Sequence, residues 1–310
     1  MINKAQSAME HKKPFGKRFH PKAQSAMEYL MTYGWAILVI AVVLGVLYSL
    51  GIFNPLNFAP KAQPGSCQVF RPNGPGTTYD LNLAGTCSGE LPVYTAVFNG
   101  QSHVTIPDSQ AIRESTNMTY SMWINLRQSG TPWLFGKIDC PVTNGWYIYT
   151  DSAHGFAPTF VVYNGGTRYE WDSGYPIVQN NYYDIAITFD SGTAKLYLDG
   201  TPVSWSSQPS GSITIGTGTT PPMWLGSYMC GGYGFMGIVS NVQLYDSSLS
   251  QNQIYALYLE GIGGAPISLQ SLSGWWPLNG NANDYSGNND NGASANIVYT
   301  GAWQGEYKQP

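Results

Sequence analysis

Charge is what this chain has least of. Only 10% of its 310 residues are Asp, Glu, Lys or Arg, against roughly a quarter in an ordinary globular domain. The basic ones crowd one end: six Lys/Arg and a single acid, Glu10, precede Gln24. The remainder carries eight basic and 17 acidic residues, a balance that argues against nucleic-acid binding by the body. Cysteine is scarce too, with Cys67, Cys87, Cys140 and Cys230 in all. None forms a C-x-x-C pair, and the four His are not spaced as ligands beside them, which argues against a zinc site. In an exported domain an even count reads as disulfides. Three pairings are open. Cys67–Cys87 with Cys140–Cys230 is favoured, because the first closes a short Gly/Pro-rich segment; four free buried thiols are the alternative.

Catalytic signatures are missing as well. There is no H-E-x-x-H, G-x-S-x-G, P-loop or strand-following G-x-G-x-x-G. Asp139, Asp151, Glu170 and Asp172 read as scattered. Glu170 and Asp172 flank Trp171 alone, and a lone acidic pair is more often a solvated edge than the pair of a glycosidase. The expectation is a protein that is not an enzyme.

Other features are abundant. From Tyr29 to Phe53 no residue is charged, a run long enough to cross a ~30 Å hydrocarbon core as a helix. Asn54-Pro55 ends it, since proline cannot continue the hydrogen-bond ladder. The basic stretch before it fits the cytoplasmic side of a membrane span. Directly ahead of the run stands Lys22-Ala23-Gln24-Ser25-Ala26-Met27-Glu28. This resembles the archaeal class III signal peptide, the type IV pilin-like leader. The resemblance implies cleavage between Ala23 and Gln24 by a prepilin-type peptidase, with the apolar helix retained and the body outside the cell. It also implies that Glu28 pairs with the free amine of a neighbouring pilin-like subunit; a position at the headgroup level is the other reading of Glu28. Lys4 to Glu10 repeats Lys22 to Glu28 residue for residue, but His11-Lys12-Lys13-Pro14 follows it, so only the second copy is read as functional. The organisation expected is a leader at 1–23, a membrane or pilin helix at 24–53, a Pro/Ala/Gly-rich linker at 54–66 and a β domain at 67–310.

The body is rich in aromatics (14%) and glycine (36 residues). Short alternating segments run through it: Val93–Phe98, His103–Ile106, Thr119–Leu126, Trp146–Thr150, Thr159–Tyr163, Tyr183–Phe189, Lys195–Leu198, Met223–Gly226 and Gly237–Tyr245. Turn pairs such as Asn99-Gly100, Asn164-Gly165 and Asp199-Gly200 separate them, the pattern of a sandwich or jelly roll. Phe98–Ile106 with Thr119–Leu126, Tyr183–Gly200, Gly237–Tyr245 and the helix-forming Leu249–Tyr258 resemble, in order and spacing, the laminin-G-like, concanavalin-type jelly roll. The fold class expected is mainly β, an N-terminal helix followed by that sandwich. The Trp-rich opening strand of the family is missing before Phe98. It stands instead at Gly274-Trp275-Trp276-Pro277-Leu278, which implies a circularly permuted order in which this strand pairs antiparallel with Gly237–Tyr245 and buries Trp276. A truncated second module is the other reading.

Laminin-G-like modules often bind Ca²⁺ through an Asp that reads here as Ser240-Asn241-Val242. Asn283, Asp284 and Asn288 are the replacement oxygen ligands considered, with an ion-free turn equally open. Glycans are the other partner that the resemblance implies, and Tyr163, Tyr169, Trp171 and Tyr175 are the candidate stacking residues. Asn117-Met118-Thr119 is a glycosylation sequon. The function expected is a non-catalytic, single-pass surface protein, pilin-like or a minor filament subunit. A membrane-anchored adhesin that never polymerises is the alternative, and an anchored glycosidase a weaker one. N-terminal sequencing of membrane-extracted protein should begin at Gln24; a product lacking Tyr29–Phe53 would mark an ordinary secretory signal and exclude the pilin reading.

Overall fold

The computed structural model describes residues 22–49, 69–70, 78–79 and 91–310, except 114–115, 129, 218–219, 229 and 309, with side chains of the first helix at 33–47. Cys67, Cys87, the linker and the first motif copy lie outside the described residues. The chain divides into two units, Met1–Ala59 and Pro60–Pro310.

The first unit contains helix α1, Lys22–Ser49. Ala23, Gln24 and Glu28 fall within it, outside its described side chains. Tyr33, Trp35 and the aliphatic residues up to Val46 are exposed. Among the described residues no helix is long and apolar enough to cross a membrane. Helix α1 covers residues 22–49, and its described side chains are those of 33–47. The uncharged run extends past them at both ends.

The second unit holds a small β1–β2 pair (Val69–Phe70, Thr78–Tyr79) and a two-sheet sandwich. Its strands are β3 (Thr95–Asn99), β4 (His103–Ile106), β5 (Asn117–Leu126), β6 (Trp133–Ile138), β7 (Gly145–Asp151), β8 (Ala157–Asn164), β9 (Thr167–Asp172), β10 (Tyr182–Asp190), β11 (Thr193–Leu198), β12 (Thr201–Val203), β13 (Met223–Leu225), β14 (Met236–Tyr245), β15 (Leu272–Trp276), β16 (Ala293–Ala295) and β17 (Val298–Thr300). The first sheet runs β12-β11-β10-β5-β14-β3-β17, with β15 also on β14; the second runs β16-β4-β13-β6-β7-β8-β9. Every pairing within them is antiparallel.

One edge of β14 serves two partners. Its first half, Met236–Val239, pairs with β3, and its second half, Val242–Tyr245, pairs with β15. Asn241 marks the junction with a positive φ of 52°, a conformation that Asn tolerates better than most side chains. The C-terminal Trp-rich strand thus takes the antiparallel place expected for it, with Val242 opposite Trp276. Neighbouring rings on a strand point to opposite faces, yet both are buried. Trp276, 0% exposed, joins the inter-sheet core with Leu278, Phe135 and Val242. Trp275 turns outward into a second cluster with Tyr245, Leu249, Ile254 and Leu257. Each indole N–H is satisfied: Trp276 Nε1 donates to the Asp290 carbonyl at 2.9 Å and Trp275 Nε1 to Asn241 Oδ1 at 2.7 Å.

The outer cluster exists because helix α2 (Gln251–Glu260) covers that face. Ser250 and Gln253 form its capping box, satisfying two otherwise orphaned N–H groups. Trp303, near the C-terminus, covers Trp123, Ile238 and Ile262 beside it. The central strand β5 is consequently buried on both faces. Under this cover lies Asp184, fully buried, its carboxyl pushed up to about 8 by burial and then by the charge of Asp199.

Two outcomes follow. Trp276→Ala should cost about 3–5 kcal/mol in chemical denaturation, and truncation after Gly263 should abolish the cooperative transition of the sandwich. For Asp184 the folded state keeps a proton that the unfolded chain releases near its ordinary value of 3.8. Stability is therefore full below that value and declines as pH rises toward 8, by up to about 1.4 kcal/mol per pH unit. Asp184→Asn should flatten this slope in a series of melts.

Candidate functional site

Aromatics collect on the outer face of the second sheet. On β7, Trp146 and Ile148 point into the core, so Tyr147 and Tyr149 point out. On β8, Phe160 and Val162 are inward, leaving Tyr163 outward. Tyr147 sits opposite Gly136 and Tyr149 opposite Trp133 across the β6–β7 ladder. Gly136 is needed there: a Cβ would come within 2.5 Å of Tyr147 Cβ and 2.6 Å of the Trp133 ring. Without one, Trp133 stacks on Tyr147 with centroids 4.2 Å apart and planes 20° from parallel.

A loop closes the other side. Tyr228 packs on Trp133 at 4.8 Å and Tyr233 against Tyr228 at 6.1 Å. The Trp133 backbone N–H donates to the Tyr233 carbonyl at 2.9 Å, and the disulfide Cys140–Cys230 ties the loop to the β6–β7 turn. In that turn Asp139 accepts the backbone N–H groups of Thr143 (2.6 Å) and Asn144 (2.9 Å). Burial raises its pKa, but these bonds and the Thr143 hydroxyl outweigh it and hold the carboxyl below the usual range. The result is a groove of about 280 Å³, with Thr131, Val142 and Arg168 completing its wall. Tyr233 is 64% exposed at a φ of 56°. An exposed aromatic held in a sparsely populated conformation is the kind of local strain that marks functional sites.

The groove is lined mainly by aromatic rings and is close to neutral. Arg168 pairs with Glu170, which also accepts the Tyr149 hydroxyl at 3.1 Å. Burial would lower the Arg168 pKa, yet the tyrosine hydroxyls and Glu170 raise it, so the guanidinium stays charged. Burial pushes Tyr147 up to about 12 and raises Tyr149 and Tyr228 as well. All three remain neutral phenols near pH 7, each able to donate and accept one hydrogen bond or more.

Of the aromatics expected from sequence, Tyr163 lines the groove. Trp171 does not: it is 2% exposed and packs on Phe160 and Phe189 in the core. Alternation on β9 sends Tyr169 the same way and turns Arg168, Glu170 and Asp172 outward. Glu170 and Asp172 thus share a face, contrary to the reading of scattered acids. Tyr175 is exposed in the loop after β9 and away from the groove lining. Trp133, Tyr147, Tyr149, Tyr228 and Tyr233 were not singled out from sequence. The outward two-residue spacing of Tyr147, Tyr149 and the loop Gly231-Gly232-Tyr233-Gly234 beside Cys230 was the available signal.

Asp284 is occupied structurally. Oδ1 accepts the N–H groups of Trp275 (3.0 Å) and Ser286 (2.7 Å), and Oδ2 accepts the Ser286 hydroxyl (2.7 Å) and the Asp290 N–H (3.0 Å). Four donors engage its lone pairs in holding the turn against β15. Asn288 Nδ2 donates to the Ser273 carbonyl at 2.8 Å, and Asn283 is exposed. Asn241 is buried and donates to the Gly264 carbonyl at 3.0 Å. Asn117, half-buried, opens β5. A different group, Asp151, His154 and Asp172, gathers three ligand-type atoms within 4.8 Å of one another.

A family model described as the concanavalin A-like lectin/glucanases superfamily matches residues 98–255. The crystal structure of a candidate carbohydrate-binding protein from Bacteroides ovatus is similar at 17% identity and a TM-score of 0.51, over 68% of this chain and 61% of that one. The chain therefore spans about three fifths of that protein's length. Domain 4 of an extracellular arabinanase from Geobacillus stearothermophilus, solved with arabinotriose, matches at 21% identity and a TM-score of 0.45, over 53% of this chain and 76% of that one. A heptameric SAP-like pentraxin from Limulus polyphemus matches at 15% identity and a TM-score of 0.45, over 66% and 94%. At its identity the first likeness is one of fold.

Proposed function

The chain belongs to the concanavalin A-like lectin/glucanases superfamily, and from that premise we propose that it binds a neutral glycan, without cleaving it, in the groove between Tyr163 and Tyr233. The observation that carries this reading is the aromatic surface itself. Tyr147, Tyr149, Tyr163, Tyr228 and Tyr233 line one concavity on an outer face, where burial in the core does not explain them. The apolar faces of sugar rings stack on such rings, and phenol hydroxyls meet sugar hydroxyls as donor or acceptor. Arg168 and Glu170 neutralise each other, which suits an uncharged ligand. Binding is favoured over hydrolysis because Glu170 is engaged by Arg168 and the Tyr149 hydroxyl, while Asp172 lies beside His154.

The display of this head is a second element of the proposal. The Lys22–Glu28 motif and the uncharged run from Tyr29 to Phe53 support a helix kept in the membrane after cleavage at Ala23–Gln24 by a prepilin-type peptidase. The head is then carried outside the cell by a pilin-like surface protein.

A glycan array probed with the detergent-solubilised full chain tests the binding reading. Saturable binding of neutral oligosaccharides is expected, and Tyr233→Ala or Tyr163→Ala should weaken it by about tenfold or more, roughly 1.4 kcal/mol, with the melting transition unchanged. Absence of glycan binding would sink the proposal. Release of new reducing ends from a bound oligosaccharide would overturn its non-catalytic part.

A further inference from the structure

Beyond the groove, on the same outer face, the two-residue period of two strands brings unlike ligand groups together. Asp151 follows Tyr149 by two positions on β7, and Asp172 follows Glu170 by two positions on β9. Both therefore emerge outward, on either side of β8. Between them stands His154, the last residue of the one-turn 3₁₀ helix Ser152–His154, which the Asp151 side chain caps.

The contacts divide each carboxylate in two. Asp151 Oδ1 accepts the Ala153 N–H at 3.0 Å. Asp172 Oδ1 accepts the Gly174 N–H at 2.9 Å and faces the Thr159 hydroxyl at 3.4 Å. The two Oδ2 atoms are left to converge on one nitrogen, each 2.8 Å from His154 Nδ1. An imidazole nitrogen carries one proton at most, so two carboxylate oxygens share what one hydrogen bond can satisfy. Asp172 is only 8% exposed, and the contact shown for its Oδ2 is the one to His154 Nδ1, which Asp151 Oδ2 shares. The outer side of the histidine faces solvent, its side chain being 55% exposed.

We propose that Asp151 Oδ2, His154 Nδ1 and Asp172 Oδ2 form a site for a divalent first-row transition cation such as Zn²⁺ or Mn²⁺. Such ions sit about 2.0–2.2 Å from nitrogen and carboxylate ligands. Two ligands on such an ion would lie about 3 Å apart at right angles and about 3.4 Å apart in tetrahedral geometry, so the N–O separations of 2.8 Å need to open by only a few tenths of an ångström to admit it. The bonds to Oδ1 of each aspartate act as the outer supports that orient metal ligands. A nitrogen donor selects against Ca²⁺ and Mg²⁺, which take oxygen ligands. The exposed side leaves room for water. Bound there, the ion would fasten the end of β7 to the end of β9. The inference rests on these three residues and not on the glycan reading.

Calorimetric titration of the chelator-treated full chain with Zn²⁺, Mn²⁺, Ca²⁺ and Mg²⁺ tests it, with melting curves alongside. One equivalent of Zn²⁺ or Mn²⁺ should bind at least about tenfold more tightly than Ca²⁺ and raise the melting midpoint. His154→Gln, at an exposed position, should lose that affinity by about tenfold or more while the metal-free melt is unchanged; Asp151→Asn should do the same. No binding of either ion, binding that is indifferent to both substitutions, or a preference for Ca²⁺ would overturn the assignment.

Discussion

An extended chain shows one face to each side, and a strand that buries one side chain in a core must turn the next one out. A two-sheet sandwich therefore has two outer faces to settle. In this protein they are settled differently. The face of the first sheet is roofed by α2 and by Trp303, so that Trp123, Trp275 and Tyr245 are buried there. On the face of the second sheet the rings turned outward on β7 and β8 meet the loop that holds Tyr228 and Tyr233 and become a groove. The fold and the site are two results of the same alternation.

That period made much of the sandwich legible. Segments with clean alternation, such as His103–Ile106 and Gly237–Tyr245, appear as β4 and β14 with nearly the expected limits. The Trp275-Trp276 strand was placed by its resemblance to the family's opening strand, and it pairs antiparallel with β14 as expected. β6 escaped notice for a physical reason: all six of its residues are buried, and its one charged residue, Lys137, is buried with them against Asp108, so the strand has no exposed side to show a period. β9 escaped because Arg168, Glu170 and Asp172 look like a loop until Tyr169 and Trp171 are seen to be its inner face. The Cys140–Cys230 pair was chosen among three alternatives and is present.

The site was less legible. Tyr163 belongs to it, but Trp171 misled, because an aromatic beside acidic residues resembles a binding surface while its neighbours' alternation sends it inward. The loop residues Tyr228 and Tyr233 are distant in sequence from β7. The disulfide, the Trp133–Tyr233 backbone bond and the packing of Tyr228 on Trp133 help to bring them across. Asp284, in an Asn-rich turn that read equally as ion-binding or ion-free, has four donors on its carboxylate, which the sequence could not show.

The shared edge of β14 also sets an order of events. β15 and β17 complete the first sheet and β16 caps the edge of the second. All three come from the last forty or so residues of the chain. While the polypeptide is still being made, β3, β4 and half of β14 stand without these neighbours, as open ladders of N–H and C=O groups of the sort that recruit stray strands. The head can close only after residues 272–300 have left the ribosome. A nascent chain of this design therefore stays an unfinished sheet until those strands are made, and its safety from misassembly depends on how quickly they arrive.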